Sequence, residues 1–199
     1  MSRDWLAARR SEVAADRILD AAGELFAQRD VAAVGMHEIA RAAGCSRATL
    51  YRYFENREAL HTAFVHRETY RLHDTIIDQI TGITDPGERL VAGVIEGLRL
   101  VRNSAALTSW FSASQPPLGA LIADQDDVVK ALTAAFLTSL GPDEPAVVER
   151  RARWLVRVMT SLVVFPGKDG ADEWAMVREF VVPMVVAPGL PAGLPGGAD

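Results

Sequence analysis

The absence of proline before Pro86 is the feature that most constrains the fold of this chain of 199 residues. Over that stretch the apolar residues recur about every 3.6 residues, which is the period of an α-helix, and no run alternates with the period of a strand. Beyond it, 85–88 (Asp-Pro-Gly-Glu) combines an acidic cap, a proline at the first helical position and a glutamate at the third. The sequence therefore predicts an all-α protein.

The composition excludes several classes of protein. With 49% hydrophobic and 24% charged residues the chain falls in the range of folded globular proteins. A single cysteine, Cys45, allows neither an intramolecular disulfide nor a cysteine-rich zinc site, and we expect no metal and no cofactor. The uncharged segments 103–123 and 180–198 contain prolines, which argues against membrane spans, and no secretory signal begins the chain. We expect a cytoplasmic protein with no membrane partner.

Positive charge is unevenly distributed along the chain. Residues 1–60 have no net charge, whereas residues 61–199 have a net charge of −5. Three arginines, Arg47, Arg52 and Arg57, fall within eleven residues of the neutral part. Since the local distribution of positive charge decides binding to nucleic acid, the acidic pI of about 5.4 does not exclude it.

The same neutral part predicts three short helices. The first ends at 28–30, and the second, over 36–43, stops at Gly44, the residue type best suited to a left-handed conformation after a helix. Ser46 can cap the third helix, which we predict over 47–54. Two helices joined by a short turn with a glycine have the spacing of a helix-turn-helix.

The third helix has apolar residues on one side only. Its start and outer face therefore present a set of small and polar side chains: Arg47, Ala48, Thr49, Tyr51 and Arg52. Such a face fits a major groove, where arginine can bridge O6 and N7 of guanine and hydroxyl groups can donate to phosphates. The alternative for Arg47 and Tyr51 is an ordinary solvated helix face.

Residues 39–60 read IARAAGCSRATLYRYFENREAL. They resemble the hallmark of the TetR family of one-component bacterial regulators, I-A-x-x-A-G-V-S-x-x-T-L-Y-x-Y-F-x-x-K-x-x-L, and depart from it only at Cys45 and Arg57. The resemblance covers about 13–60. It implies a helix-turn-helix domain over 1–57, ordered from about residue 12, and a helical ligand-binding and dimerisation domain over 58–186. The composition of 187–199, rich in Pro and Gly, predicts a flexible tail.

The resemblance also implies which residues contact DNA, in part bases and in part phosphates. The predicted set is His37, Ser46, Arg47, Ala48, Thr49, Tyr51, Arg52, Tyr53 and Arg57. Two departures from the family pattern precede the second helix. Asp30 replaces the usual glycine, and we expect it to take the left-handed conformation. Val34 and Gly35 replace hydroxyl residues, so we expect a weaker cap there.

The last two predicted helices, 145–165 and 172–182, carry more apolar side chains than are needed to cover one side of a core. The resemblance implies that these two helices form the interface of a homodimer. The alternative is that they cover their own core. The candidate interface is Trp154, Leu155, Val158, Leu162, Trp174, Val177, Phe180 and Val181.

Segment 105–123 mixes two aromatic residues with hydroxyl and amide residues and has no charge, as a small-molecule pocket requires. The candidate pocket residues are Leu98, Trp110, Phe111, Gln115, Phe136 and Met159, with ordinary core packing as the alternative. We expect a sequence-specific DNA-binding regulator, a repressor released from a palindromic operator by a small, mostly apolar effector. With no catalytic motif we expect no enzyme. The alternative is an α-helical carrier or enzyme with a non-functional helix-turn-helix.

Overall fold

The computed structural model describes residues 4–112 and 118–186, and these residues form helices and connecting turns without a strand. The α-helices are α1 (Asp4–Gln28), α2 (Met36–Ala42), α3 (Arg47–Tyr53), α4 (Arg57–Ile80), α5 (Pro86–Asn103), α6 (Ala105–Ser112), α7 (Leu118–Gln125), α8 (Asp127–Thr138), α9 (Pro145–Val164), α10 (Gly170–Met176) and α11 (Val182–Val185). The all-α prediction is confirmed. None of these helices is both long and apolar enough to cross a membrane, and the predicted tail, 187–199, lies outside the described residues.

The start of the chain departs from the prediction in two places. Helix α1 begins at Asp4, ahead of the expected ordered start near residue 12. Asp30 has φ −52°, so the expectation of a left-handed conformation is wrong. Its carboxylate instead accepts a hydrogen bond of 2.8 Å from the backbone N–H of Ala32 and caps a 3₁₀ turn, Val31–Ala33. The chain thus leaves α1 through side-chain capping, which needs no positive φ.

The turn between α2 and α3 follows its sequence signals. Gly44 has φ 68°, a conformation that glycine adopts without a steric penalty. Ser46 then caps α3, because its hydroxyl oxygen accepts a hydrogen bond of 3.0 Å from the backbone N–H of Thr49. Leu50, fully buried, anchors the inner face of α3 against the core.

A single residue, Asp126, separates the two helices α7 and α8. Asp126 caps α8, since its Oδ1 accepts hydrogen bonds from the N–H groups of Val128 and Val129. Its Oδ2 lies 2.7 Å from Nε2 of His66 on α4. One carboxylate therefore starts a new helix and fastens it to the long helix that follows the helix-turn-helix.

The last predicted helix begins earlier than expected and contains an irregular turn. Helix α10 runs into a π-helical turn over Val177–Val181, which ends directly before Pro183 in α11. Proline has no N–H to donate to the preceding turn of an α-helix. The wider π-helical turn accommodates this missing hydrogen bond, and the chain continues as a helix to Val185.

The buried side chains form two clusters. The first lies among α1, α2, α3, α4 and α6, and the second among α4, α5, α8, α9 and the C-terminal helices. Beside the second cluster an ion pair joins α5 to α10, because the half-buried Arg102 donates from both terminal nitrogens to the carboxylate of the buried Glu173, each at 2.7 Å. These hydrogen bonds lower the pKa of Glu173. The helices around the second cluster are thereby held in fixed register.

Candidate nucleic-acid interface and ligand cavity

Helix α3 presents its predicted DNA-contacting face to solvent. The exposed members of the predicted set are His37, Ser46, Arg47, Ala48, Tyr51 and Arg52. Thr49 and Tyr53 are half-buried. The hydroxyl oxygens of Ser46 and Thr49 lie 2.9 Å apart, and the Arg52 guanidinium lies 5.3 Å from the centre of the Tyr53 ring. Arginine, a phenol and a small side chain are thus grouped on one open helix face, the arrangement that enters a major groove.

Arg57, predicted to contact a phosphate, forms hydrogen bonds within the protein. Its Nη2 donates hydrogen bonds to the backbone oxygens of Val31 at 2.7 Å and Ala32 at 2.6 Å. Its Nε is buried and has no partner. The guanidinium is therefore turned inwards, where it ties the start of α4 to the 3₁₀ turn ahead of α2. Two backbone carbonyls thus hold Nη2, and the phosphate contact of Arg57 stays a prediction.

An ion pair that the sequence analysis missed fixes the start of α2. Arg29 donates to both carboxylate oxygens of Glu38, at 3.0 and 2.8 Å, and Glu38 also accepts a hydrogen bond of 3.0 Å from the N–H of Gly35. The Arg29 hydrogen bonds, followed by that of Gly35, lower the pKa of Glu38 to about 2. A glutamate three residues after the cap was the available signal. Glu38 thus supplies the capping that Val34 and Gly35 lack.

A cavity of about 210 Å³ lies among α4, α5, α6, α7, α8 and α9. Five of the six predicted pocket residues line it: Leu98, Trp110, Phe111, Phe136 and Met159. The sixth, Gln115, lies outside the described residues. Helix α4 contributes a further wall, with Leu72, Ile76 and Ile77, that was not predicted from the sequence. Their helical spacing showed that this face of α4 is buried but not that it faces a cavity.

Two glycines of α5 allow neighbouring side chains to approach the cavity wall. A Cβ at Gly93 would lie 2.8 Å from Cζ of Phe136, and a Cβ at Gly97 would lie 2.8 Å from Cε of Met159. Both distances are shorter than van der Waals contact. The absence of side chains at these positions therefore sets the shape of the cavity.

Trp110 is shared between the cavity wall and the core of the helix-turn-helix domain. Its indole stacks on Phe64, with ring centroids 5.7 Å apart, and meets Phe26 and His61 edge to face at 5.4 and 5.1 Å. Burial, and then the charge of Arg57, lower the pKa of His61 to about 4. His61 was also missed, although it precedes Phe64 by three residues and so lies on the buried face of α4. Helix α6 is thus packed directly against α1 and α4.

The candidate dimer residues divide into two groups. Leu155, Leu162, Val177 and Val181 are buried in the core of their own chain. This agrees with the alternative that these helices cover their own core, and a part for these four in a dimer interface stays a prediction. By contrast, Trp174 is 41% exposed and Phe180 is 60% exposed. Trp154 and Val158 are half-buried. Two further exposed apolar residues in this part of the chain, Phe165 and Met184, were not predicted.

No three histidine, cysteine or acidic side chains lie close enough to hold a metal ion within residues 4–112 and 118–186. Two conspicuous features remain in that part of the chain, the exposed face of α3 and the apolar cavity. The first is suited to a groove of duplex nucleic acid and the second to a small molecule.

Comparison with known proteins places these features in a family. Residues 18–64 match the model of the bacterial regulatory proteins of the tetR family. An HTH-type transcriptional regulator of Mycobacterium tuberculosis H37Rv, Rv1255c, itself uncharacterised, is 59% identical over 196 residues, which cover 97% of each chain. The HTH-type regulator AlkX of the same organism is 26% identical over 84% of this chain and 83% of its own.

Solved structures have the same fold. The crystal structure of the TetR family repressor AlkX from Dietzia sp., implicated in the biodegradation of n-alkanes, superposes with a TM-score of 0.64 at 25% identity. The match covers 85% of this chain and 94% of that one. The similarity therefore extends over both the helix-turn-helix and the helices around the cavity.

Proposed function

Because the chain belongs to the TetR family of helix-turn-helix transcriptional regulators, we propose that it is a homodimeric repressor released from a palindromic operator by a small, mostly apolar ligand. The exposed face of α3 is the observation on which the proposal mainly rests. Arg47, Ala48 and Tyr51 face solvent there, while Leu50 is fully buried beneath them. The helix is thus anchored on one side and free to contact bases on the other.

The proposed interface between subunits consists of the exposed apolar residues near the C-terminal end of the described chain. Trp174, Phe180 and Met184 are each more than two-fifths exposed. Exposed large apolar side chains that cluster on one part of a surface are typical of contact with another protein. A two-fold dimer would present two copies of α3 about 34 Å apart, one turn of DNA, and would therefore require a palindromic site.

The proposed release of DNA depends on the position of the cavity. Trp110 lines the cavity and at the same time packs against Phe64 and Phe26 in the helix-turn-helix core. A ligand that displaces Trp110 therefore disturbs the packing that positions α3. A ligand lowers DNA affinity only if it binds the conformation that does not bind DNA more tightly than the one that does. A coupling free energy of about 1–3 kcal/mol between the two sites gives a loss of DNA affinity of about 5–150-fold. The Dietzia relative is a repressor, which supports repression over activation.

Selection of duplexes from a random pool by the purified full-length protein tests the DNA-binding part. We expect a palindromic site whose binding weakens steeply with salt, as phosphate contacts require. Arg47→Ala should lower the preference for that site over scrambled DNA by about 1–3 kcal/mol, the value of one good base contact. Arg99→Ala, at an exposed position of α5 outside the predicted DNA-contacting and interface residues, is the matched control and should keep the preference. Failure to enrich any sequence would favour the carrier or enzyme alternative.

A further inference from the structure

We propose that the cavity takes an uncharged, mainly apolar molecule with one hydrogen-bond acceptor, and that the indole N–H of Trp110 donates to that acceptor. The inference rests on the proposed function, because it names the chemical class of the effector. The cavity wall has few polar groups. Each of them already has a hydrogen-bond partner, has a charge that would repel an anion, or lacks a hydrogen-bond partner.

The cavity wall offers no unpaired cation to an acid. Among the described residues that line it there is no lysine and no arginine. His73 lines the cavity, and its Nδ1 lies 3.4 Å from a carboxylate oxygen of Asp74. Burying an anion without a positive partner is costly in free energy. A carboxylate, a phosphate or a sulfate is therefore a poor ligand.

The charged groups nearest the wall are committed to each other. Glu68 lines the cavity and accepts hydrogen bonds from Arg67 at 3.1 Å and Arg71 at 3.0 Å. Arg67 in turn donates to Asp20 on α1 at 2.8 Å. Both arginines thus have carboxylate partners in the protein, and an incoming anion would meet the negative charge of Glu68. This disfavours an acidic ligand further.

Two of the three threonines on the wall are also satisfied. The Thr69 hydroxyl donates to the backbone oxygen of Val65, and the Thr133 hydroxyl donates to that of Val129, each at 2.8 Å. Threonine hydroxyls that bond to their own helix in this way are not drawn towards a ligand. Thr160 is the third, half-buried and without a hydrogen bond to the described residues. It is the competing anchor that an experiment must separate from Trp110.

Trp110, which lines the cavity, carries a buried polar group that is not satisfied. The residue is 3% exposed, and its Nε1 has no hydrogen-bond partner among the described residues. The Nε2 of His61, next to it, is buried and unpartnered as well, so it does not accept the indole hydrogen. A buried donor with no acceptor destabilises the empty protein. A ligand that brings a carbonyl, ether or hydroxyl oxygen recovers that hydrogen bond.

Three probes that share a ten-carbon chain and differ only at one end test the proposal: decane, methyl decanoate and decanoate. A cavity of about 210 Å³ is smaller than the roughly 300–1,000 Å³ of sites for drug-sized ligands, so probes of this modest length are suitable. Affinities are measured by calorimetry on the full-length protein without DNA. We expect methyl decanoate to bind about 3–10-fold more tightly than decane, the net value of one hydrogen bond, and decanoate to bind at least about tenfold more weakly than the ester.

Substitution then identifies the donor. Trp110→Phe should abolish the advantage of the ester over decane and leave the affinity for decane within about twofold, since phenylalanine keeps an aromatic ring but has no N–H. Thr160→Val, which removes a hydroxyl at constant shape, is the matched control and should leave the advantage intact. If Trp110→Phe does not fold, the NMR resonance of the Trp110 indole N–H in the unsubstituted protein provides the test instead. That resonance, assigned by substituting the other three tryptophans, should shift with the ester and not with decane.

Several results would overturn the proposal. Decanoate binding as tightly as the ester would contradict the uncharged class, and a loss of that binding in His73→Ala would identify the carboxylate's partner. An ester advantage that disappears in Thr160→Val would exclude Trp110 as the donor, and the absence of binding by all three probes would refute the site. If the probes bind in the expected order but leave the operator complex intact, the inference holds and the proposed release mechanism fails.

Discussion

The indole of Trp110 on α6 lies almost parallel to the phenyl ring of Phe64 on α4, with 5° between the planes and 5.7 Å between the centroids. Phe64 belongs to the core that supports the helix-turn-helix, whereas Trp110 also forms part of the wall of the cavity. One aromatic pair therefore joins the wall of the cavity to the core that supports α3, the helix proposed to contact DNA. Any change at this pair should affect both regions.

We expect Trp110→Ala to lower the free energy of unfolding by about 3–5 kcal/mol, since a large buried aromatic side chain is lost and leaves a void. Denaturant unfolding followed by circular dichroism measures the change. Tyr70→Ala is the control, because Tyr70 is half exposed on α4 and should change stability by no more than about 0.5 kcal/mol. Equal effects of the two substitutions would contradict the shared-core role of Trp110.

Arg57→Ala should destabilise the protein, by about 1.5–3 kcal/mol, rather than remove a phosphate contact. Its guanidinium donates to two backbone oxygens that lose their partner in the variant. Arg47→Ala, at an exposed position of α3, should leave stability within about 0.5 kcal/mol and lower sequence discrimination instead. Thermal unfolding and duplex titration of both variants separate the two roles. If the Arg57 variant keeps wild-type stability but binds all DNA sequences more weakly, Arg57 contacts a phosphate as the sequence predicted.

His61 should make the protein less stable in mild acid. Its pKa is lowered from the usual 6.5 to about 4, so between these pH values the unfolded chain binds the proton that the folded protein resists. The unfolding free energy therefore falls as pH drops from 7 to 4, by on the order of 3 kcal/mol for this group. His61→Phe has no such group, and its stability relative to wild type should rise by that amount over the same range. A constant difference across pH would exclude His61 as the cause.

If the proposed dimer forms, Phe180→Asp should convert it to a monomer, as measured by light scattering at micromolar concentration. Phe180 is 60% exposed in the single chain, and a charge placed there would be buried against an apolar partner surface. Val13→Asp alters an equally exposed apolar residue on α1 and should leave the dimer intact. If both variants, or neither, change the molecular mass, the interface lies elsewhere.

Local signals in the sequence specified most helix boundaries. The proline and acidic cap at Asp85 and Pro86 start α5, Gly44 ends α2, and Ser46 starts α3, as predicted. Each of these signals works through hydrogen bonds or backbone preferences within about four residues, so it can be recognised without a structure. The same locality explains why the face of α3 with Arg47 and Tyr51 was recognised as exposed.

The tertiary structure alone decided what each buried face packs against. Periodicity showed that Leu155 and Val181 are buried, but a helical pattern is the same whether the cover is the chain's own core or a second subunit. It equally could not show that Arg57 meets carbonyls 25 and 26 residues away, or that Trp110 enters the core of the helix-turn-helix. Such contacts depend on how distant segments come together in space. The sequence by itself determined the helices and the exposed DNA-contacting face, whereas packing between helices created the cavity and its link to that face.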